Sequence, residues 1–254
     1  MSQVQGIGSG NGNIDYGKIA SGKRIQSAAD DAAGLAISEK LNTAAGGTNQ
    51  GNENTQDGIS LTKVTDGALS GITEHLQRIR ELSISALNGT KSADDKQAIQ
   101  KEVDQLLQNI EQTAQGTQFN TLKPLDGSMA DINIASNADG SGMSIKMVNS
   151  TLENLGIEGY DVTGDFDISR IDEAIAKVSE GRSTTGATAN ALEAQYNYGR
   201  NYEEQLVGAD SRIEDLDIPQ AISDLRKNEV LEDYRLMMQK KEEEQEAEVT
   251  KLLQ

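Results

Sequence analysis

A run of apolar residues spaced three and four apart constrains this chain more than any other feature. It extends over residues 61–86, and its members are Leu61, Val64, Ala68, Ile72, Leu76, Ile79, Leu82 and Ala86. This spacing places one apolar stripe along a single long α-helix. Asn88-Gly89 then supplies a helix stop signal. The sequence therefore predicts a long helix whose stripe packs against neighbouring helices.

Two further segments carry the same helical period. Ser92 begins a Ser-x-x-Asp capping signal, and the apolar residues that follow it are Ile99, Val103, Leu106 and Ile110. Asp167 is a good N-cap residue, and the stripe after it is Ile168, Ile171, Ile175 and Val178. The short loop 88–92 predicts an antiparallel pair of helices, with the third helix packed on both.

Residues 120–166 differ in character from the helical segments. Apolar and polar residues alternate over 132–134 and 143–147, and the turn sequence 137–140 lies between them, which predicts a small β-hairpin. Only 35% of the chain is hydrophobic and 3% is aromatic, so a thick globular core is not expected. The predicted fold is mainly α, an elongated antiparallel bundle or coiled coil of long helices with a small β-hairpin region.

The two ends of the chain are also expected to be largely helical. The first 17 residues are rich in Gly and Asn, and a helical signal begins near Tyr16. Residues 22–37 and 211–215 both have helical patterns, which suggests a chain that folds back on itself. Gly46-Gly47 predicts a loop or kink. Pro219 indicates either the first turn of a last helix or a kink, and the charged residues 240–248 indicate a solvated helix face.

Charge and composition exclude several function classes. A formal charge of −18 disfavours nucleic acid and anionic membrane surfaces as partners. Without Cys there is no thiolate site, and neither the single His75 nor the adjacent carboxylates at 30–31 and 242–244 form a metal-binding pattern. We expect no metal, no cofactor and no catalytic residues. The sequence also lacks the apolar run of a cleavable signal peptide or of a membrane span.

Several sequence segments, which follow one another in the same order as in the family, resemble bacterial flagellins. In the amino-terminal half they are residues 21–25, 27–28, 30–34, 36–37, 57–60, 65–69, 76–82 and 116–120. In the carboxy-terminal half they are residues 182–183, 186–187 and 211–217. The assembly motif residues that this resemblance assigns are Arg24, Asp30, Asp31, Gly34, Arg212, Ile213 and Asp215. The central variable domains of the family are missing.

The resemblance implies a filament subunit that is exported through the flagellar type III channel without a cleaved signal peptide. It divides the chain into an inner-layer segment (1–41), long helices (42–119), a hairpin region (120–166), a returning long helix (167–210) and a second inner-layer helix (211–254). Implied partners are further copies of the chain, an export chaperone, the cap and the hook-junction proteins. Compared with the family, the segment before Ser21 is shorter by about three helical turns, and residues 240–244 are unusually charged.

The resemblance further implies that the monomer is a ligand of Toll-like receptor 5. The corresponding receptor and assembly surface is predicted to contain Leu76, Gln77, Arg78, Leu82, Ile99 and Glu102. Without the resemblance, the apolar members would be ordinary residues of the helix seam. Arg78 and Glu102 would then form an exposed ion pair with little effect on stability.

Three other functions are considered beside the filament subunit. A hook–filament junction protein would share the terminal helices, although the matches at 30–34 and 76–82 favour flagellin. A secreted immune ligand or adhesin that does not polymerise fits the short amino-terminal segment. An enzyme is the most remote alternative, because residues 120–166 leave no room for a catalytic insert.

Overall fold

The computed structural model describes residues 16–252 and confirms a mainly helical chain with one small sheet. The helices are α1 (Tyr16–Ser21), α2 (Ala28–Ala86), α3 (Ala93–Gly116), α4 (Leu152–Leu155), α5 (Ser169–Glu214) and α6 (Ile218–Leu252). The strands are β1 (Asp131–Ala135) and β2 (Gly142–Lys146). Among these elements, no helix has the length and apolar composition that a bilayer span requires.

The chain divides into two compact units. The central unit comprises residues 44–204, and the terminal unit comprises residues 1–43 together with 205–254. Helices α2 and α5 each contribute residues to both units. The segment boundaries predicted at 41/42 and 210/211 are therefore not helix boundaries, because α2 and α5 continue through them.

One apolar cluster forms the main core of the central unit. Its buried members on α2 are Leu69, Ile72, Leu76, Ile79, Leu82 and Ala86. The predicted stripe was wrong at Val64, which is 40% exposed, because the buried face passes through Thr65 instead. The Thr65 hydroxyl donates to the Leu61 carbonyl at 2.9 Å, so this polar side chain is buried with its hydrogen bond satisfied.

Helix α3 returns along α2 after a short loop, as predicted. The Ser92 hydroxyl accepts from the Asp95 N–H, and the Asp95 carboxylate accepts from the Ser92 N–H, which completes a capping box. The buried residues of α3 are Val103, Leu107, Ile110 and Ala114. Ile99 and the predicted Leu106 are only partly buried against the core.

The segment between β2 and α5 completes this core. Leu155, Ile157, Tyr160 and Val162 are buried in the cluster, and the Tyr160 hydroxyl donates to the Ser83 hydroxyl at 3.1 Å. The Gln100 side chain donates to the Tyr160 carbonyl at 3.0 Å and accepts from the Val162 N–H at 2.7 Å. The Gln100 side chain of α3 thus satisfies two backbone groups of this irregular segment, as the backbone of a neighbouring β-strand would.

The third predicted helix, α5, begins beside its expected cap. The Asp167 carboxylate accepts from the Ser169 N–H at 2.9 Å, and Ile171, Ala174 and Val178 on α5 are buried in the core. Ile175 lies partly buried at its edge. Asp167 lies one residue before the N-cap position, which Ile168 takes, since the Ile168 carbonyl accepts from the Asp172 N–H at 3.2 Å. The predicted stripe is shared with Ala174.

The predicted β-hairpin is confirmed. Strands β1 and β2 pair antiparallel with Ile132 opposite Ile145 and Ile134 opposite Met143. The hairpin contributes to a second apolar cluster, whose buried members are Ile59, Leu61, Ile145, Met147 and Leu192. The hairpin is therefore packed on α2 and α5.

The break predicted at Gly46-Gly47 was wrong, because α2 is helical there. A Cβ on Gly47 would lie 2.8 Å from the Ala138 Cβ, so this glycine permits close packing and does not end the helix. The interruption of α2 lies at Asp31, whose φ of −162° and ψ of 96° are extended. At the other end, α6 begins at Ile218 with Pro219 in its first turn, where proline costs no hydrogen bond.

Candidate functional site

Two of the segments that resemble flagellin, residues 21–25 and 211–217, contact each other in the terminal unit. We call this place the terminal junction, formed by residues 22–24 and 213–216. Lys23 and Asp215 form an antiparallel β-bridge. The Arg24 N–H donates to the Glu214 carbonyl at 2.6 Å, and the Leu216 N–H donates to the Gly22 carbonyl at 2.8 Å. The chain therefore folds back on itself, as its two motifs suggested.

Residues 22–27 were wrongly predicted to be helical. Gly22 adopts a φ of 71° directly after α1 ends, and this left-handed conformation is easily reached only by glycine. The backbone of Gly22 and Arg24 then pairs with Leu216 and with Glu214, the last residue of α5, and not with the preceding turn of its own helix. A pairing between segments so distant in sequence leaves no local periodicity to detect.

Side chains reinforce the terminal junction around one buried carboxylate. Glu214 is 7% exposed, and its Oε1 lies 2.7 Å from the Lys23 Nζ. The hydrogen bond from Lys23 to Glu214 is the main cause that raises the pKa of the Lys23 ammonium, and the charges of Asp210 and Asp215 add to it. The positive charge of Lys23 therefore compensates the buried carboxylate.

Ser38 and Arg24 complete this group of contacts. The Ser38 hydroxyl is buried and lies 2.5 Å from Asp210 Oδ1 and 3.3 Å from Glu214 Oε2. The Arg24 Nη2 donates to the Ile213 carbonyl at 2.6 Å, which satisfies a carbonyl in the last turn of α5. The sequence did not identify Lys23, Ser38 and Glu214 as members of this site. The spacing of Asp210 and Glu214 by four residues was the one available signal, since it places both on one helix face.

Asp30 and Asp31, the acidic pair of the amino-terminal motif, accept hydrogen bonds from nearby backbone N–H groups. Asp30 Oδ2 accepts from the Gln26 and Ser27 N–H groups at 3.1 and 3.0 Å, and Asp30 is paired with Lys18. The Lys18 ammonium first, and these N–H groups next, hold the pKa of the Asp30 carboxyl well below its usual range. Asp30 therefore fixes the turn that precedes α2.

Asp31, the next residue, is hydrogen-bonded to Gly34. Asp31 Oδ1 accepts from the Gly34 N–H at 2.8 Å, which is the geometry of an N-cap for the helix after the Asp31 interruption. A Cβ at position 34 would lie 2.5 Å from Asp31 Oδ2 and 2.7 Å from Ile25 Cδ1. Ile25 is itself buried. Glycine is thus required for close packing at this position.

The remaining assembly motif residues lie at the end of α5. Ile213 offers its carbonyl to Arg24, and Asp215 is bonded to the Ser211 hydroxyl. Arg212 is exposed, and within the described part of the chain its side chain has no hydrogen-bond or ion-pair partner. Arg212 is therefore available to a partner, whereas Ile213 and Asp215 maintain the terminal junction.

A second candidate site lies on the central unit. We call it the Arg78 surface, formed by Gln77, Arg78, Glu81, Ile99 and Glu102. Arg78 Nη2 is 2.9 Å from Glu102 Oε1, and Arg78 Nη1 is 3.1 Å from Glu81 Oε2. The Arg78 and Glu102 side chains are 50% and 47% exposed. The structure thus joins Arg78 and Glu102 across the α2–α3 pair and leaves both accessible.

Two residues predicted on this surface lie in the core. Leu76 is 0% exposed and Leu82 is 7% exposed, since both follow the apolar stripe of α2. Gln77 is exposed and Ile99 is partly buried. Leu76 and Leu82 therefore support the surface from beneath and cannot contact a partner of the folded monomer.

Comparison with known proteins identifies both helical regions of the chain. Residues 13–130 match the bacterial flagellin N-terminal helical region, and residues 168–253 match the bacterial flagellin C-terminal helical region. A flagellin of Halalkalibacterium halodurans is 37% identical over 234 residues, which are 89% of this chain and 86% of the relative. The chain belongs to the bacterial flagellin family.

Other relatives extend the same comparison. The flagellar filament 30.7 kDa core protein of Treponema maltophilum is 34% identical to this flagellin over 87% of the chain and 84% of the relative. The crystal structure of Bacillus cereus flagellin superposes with a TM-score of 0.52 at 32% identity, covering 58% of this chain and 88% of that one. Flagellins are structural proteins of the flagellar filament, so this chain is not an enzyme.

Proposed function

We propose that this flagellin is exported through the flagellar type III channel and polymerises outside the cell into the filament used for motility. The terminal unit and the Arg78 surface supply the contacts between copies. One observation carries the proposed polymerisation: α6 exposes a stripe of large apolar side chains. The export proposal follows from family membership alone.

Helix α6 is long and has an uncovered apolar stripe. Val230, Tyr234 and Met237 are spaced by four and three residues, and they are 67%, 61% and 69% exposed. Such spacing places the three side chains on one helix face. Exposed apolar residues in a row are typical of a surface that becomes buried in a complex. A second copy of the chain is the occupant that we propose.

The charges of α6 limit how that stripe is covered. Residues 240–244 are Lys-Lys-Glu-Glu-Glu and are exposed. With a formal charge of −18 on each chain, copies repel one another at low ionic strength. Salt weakens this repulsion by screening, so we expect polymerisation to be promoted by salt.

The test of polymerisation compares two substitutions on α6. Met237→Asp places a carboxylate within the apolar stripe, whereas Gln239→Asp places the same charge two residues away at an exposed polar position. Burial of one Met contributes about 1.5–3 kcal/mol, so Met237→Asp should raise the critical concentration about tenfold or more. Gln239→Asp should polymerise like the wild type. Sedimentation and electron microscopy after salt-induced polymerisation give the readout, and equal polymerisation of both variants would contradict the proposal.

For the monomer, we propose recognition by Toll-like receptor 5 through the Arg78 surface. Support comes from the exposed guanidinium of Arg78, whose planar group of donors suits carboxylate or backbone acceptors, and from the adjacent exposed Glu102. The same surface is proposed to contact a neighbouring copy in the filament. An export chaperone, the cap and the hook-junction proteins are further proposed partners, which follow from family membership alone.

The receptor proposal is tested with Arg78→Ala and Glu102→Ala. Each variant should weaken receptor activation about thirtyfold, since a central Arg of an interface commonly contributes that much to affinity. The polymer yield of each variant should also fall. Arg80→Ala is the matched control, because Arg80 is also an exposed arginine of α2 but pairs with Asp172 of α5 at 2.6 Å. Wild-type activation and polymerisation by Arg78→Ala would exclude this surface.

A further inference from the structure

The loop between α2 and α3 contains an Asn-Gly pair whose Asn side chain accepts two hydrogen bonds. Asn88 Oδ1 accepts from the Thr90 N–H at 3.1 Å and from the Thr90 hydroxyl at 3.0 Å. Asn88 and Gly89 are both exposed. The side-chain carbonyl of Asn88 is thus held by two donors in a solvent-accessible turn.

The backbone nitrogen that follows Asn88 is free to react. Within residues 16–252, the Gly89 N–H has no hydrogen-bond acceptor, whereas the N–H of Lys91 closes the turn on the Asn88 carbonyl at 3.0 Å. Gly89 has no side chain, and no atom other than those of residues 88–90 lies within 4 Å of the position that a Cβ would occupy. Neither a hydrogen bond nor a neighbouring group therefore hinders this nitrogen.

We propose that Asn88 is a site of self-catalysed deamidation, with water as the co-reactant. The Gly89 nitrogen loses its proton and attacks Asn88 Cγ, and a C–N bond forms. The Cγ–Nδ2 bond breaks, and ammonia leaves with the added proton. Water then opens the resulting succinimide to give aspartate or isoaspartate.

Thr90 stabilises the charge that develops in the first step. When the Gly89 nitrogen adds to Asn88 Cγ, the negative charge collects on Oδ1. The two Thr90 donors lie at 3.0 and 3.1 Å from that oxygen, which is the distance range of an oxyanion-stabilising pair. The loop therefore supplies both the nucleophile and the oxyanion donors.

A second asparagine in the same chain has the same side-chain contacts but a following nitrogen that is buried, hydrogen-bonded and adjacent to a side chain. Asn149 Oδ1 accepts from the Thr151 N–H at 3.1 Å and from the Thr151 hydroxyl at 2.9 Å, so its carbonyl is held in the same way. However, Ser150 is 0% exposed, and its N–H donates to the Leu125 carbonyl at 2.9 Å. Asn149 should therefore resist deamidation, although its oxyanion donors match those of Asn88.

The test follows the full-length chain during incubation at mildly alkaline pH. Peptide mapping by mass spectrometry measures amide-to-acid conversion separately at Asn88 and at Asn149, and it also separates Asn88 from the other Asn-Gly pair, Asn11-Gly12. We expect conversion at Asn88 to be at least about tenfold faster than at Asn149, which corresponds to about 1.4 kcal/mol in activation free energy. Equal rates at the two sites, or an Asn88 that stays an amide, would overturn the proposal.

Two variants separate the roles of the loop residues. Gly89→Ala should slow conversion at Asn88, because the added methyl hinders the nitrogen while leaving the fold intact. Thr90→Val removes the hydroxyl donor to Asn88 Oδ1 but keeps the N–H donor. It should slow conversion about three- to tenfold. The expected effect is modest because a hydrogen-bond donor exposed to water stabilises an oxyanion less than a donor in an enclosed active site. An unchanged or faster rate in Thr90→Val would exclude the oxyanion role. Thermal melts verify that both variants fold.

Discussion

The central unit and the terminal unit are stabilised by different interactions. The central unit has a large apolar cluster that includes Ile72, Leu76 and Ile79, all fully buried. Among the side chains described for the terminal unit, the buried hydrophobic ones are Ile25 and Leu206. Its elements are joined mainly by polar contacts such as Lys23–Glu214 and Arg24–Ile213.

This difference indicates how a polymerising subunit divides its apolar surface. In the central unit the apolar stripes of α2, α3 and α5 cover one another, so the unit is expected to fold alone. In the terminal unit α6 leaves Val230, Tyr234 and Met237 exposed. We therefore assign folding of the monomer to the central unit and the apolar part of the assembly contact to the terminal unit, beside the polar contact proposed for the Arg78 surface.

The largest expected effect comes from an apolar-to-Asp change in the central unit. Ile79→Asp places an unpaired carboxylate at a 0% exposed position, which should cost about 4 kcal/mol or more. That is a large fraction of the stability of a typical domain, so the variant should not fold cooperatively. Urea denaturation measures the effect.

The same apolar-to-Asp change on α6 should not affect the stability of the monomer. Met237→Asp should leave the urea midpoint unchanged, and so should His75→Ala, because His75 is not part of the buried cluster. If Met237→Asp destabilised the monomer as much as Ile79→Asp, the proposed division between the two units would be wrong.

A smaller effect is expected from a polar contact of the terminal junction. Lys23→Met leaves the Glu214 carboxylate, 7% exposed, without its cation. Because the Lys23 side chain is 49% exposed, water screens the pair, and the loss should be about 1 kcal/mol. Hydrogen exchange at the Leu216 N–H, which is bonded to Gly22, should accelerate about fivefold as a result.

Lys40→Met is the matched control for this change, since Lys40 is exposed on α2. It should leave the exchange rate of the Leu216 N–H unchanged. An effect of equal size in both variants would show that the loss of any lysine charge, and not the contact with Glu214, loosens the terminal junction.

The turn before α2 should respond to acid. The pKa of Asp30 is lowered in the folded chain, first by Lys18 and then by the Gln26 and Ser27 contacts. Its stabilisation is therefore complete above the unfolded pKa, near pH 4. It is lost as the pH falls from there towards the lower folded pKa. The amide NMR shifts of Gln26 and Ser27 should follow this transition in the wild type and should be insensitive to it in Asp30→Asn.

The smallest effect on stability is expected at the Arg78 surface. Arg78 and Glu102 are about half exposed, and exposed ion pairs contribute little to folding. Arg78→Ala should therefore shift the urea midpoint barely above experimental error while it weakens assembly. A large loss of stability would mean that its effect on assembly reflects damage to the fold.

Much of the central unit could be predicted from the sequence because its signals are local. The Ser92 capping box, the end of α2 near Asn88 and the hairpin all depend on residues within a few positions of one another. The prediction failed where distant contacts decide the structure. Gly47, for example, packs against Ala138 within a continuous helix. Thr65 is a different case, since a local hydrogen bond to its own helix lets this polar side chain occupy a buried position.

The candidate site was less predictable for the same reason. The resemblance identified Arg24, Asp30, Gly34 and Asp215 but not what they contact. The bridge between Lys23 and Asp215 joins residues that are 192 positions apart, and no periodicity encodes such a pairing. Leu76 and Leu82 were placed on a surface because the resemblance transfers positions and carries no information on burial.

Hydrogen exchange of the same protein as monomer and as polymer tests the central claim most directly. We predict that the α6 amides around Val230 and Met237 exchange rapidly in the monomer, because a helix whose apolar stripe is exposed gains little stability from packing. In the polymer they should become protected by about tenfold or more, while the amides around Ile72 and Ile79 are protected in both states. Equal protection of α6 in monomer and polymer would contradict the account.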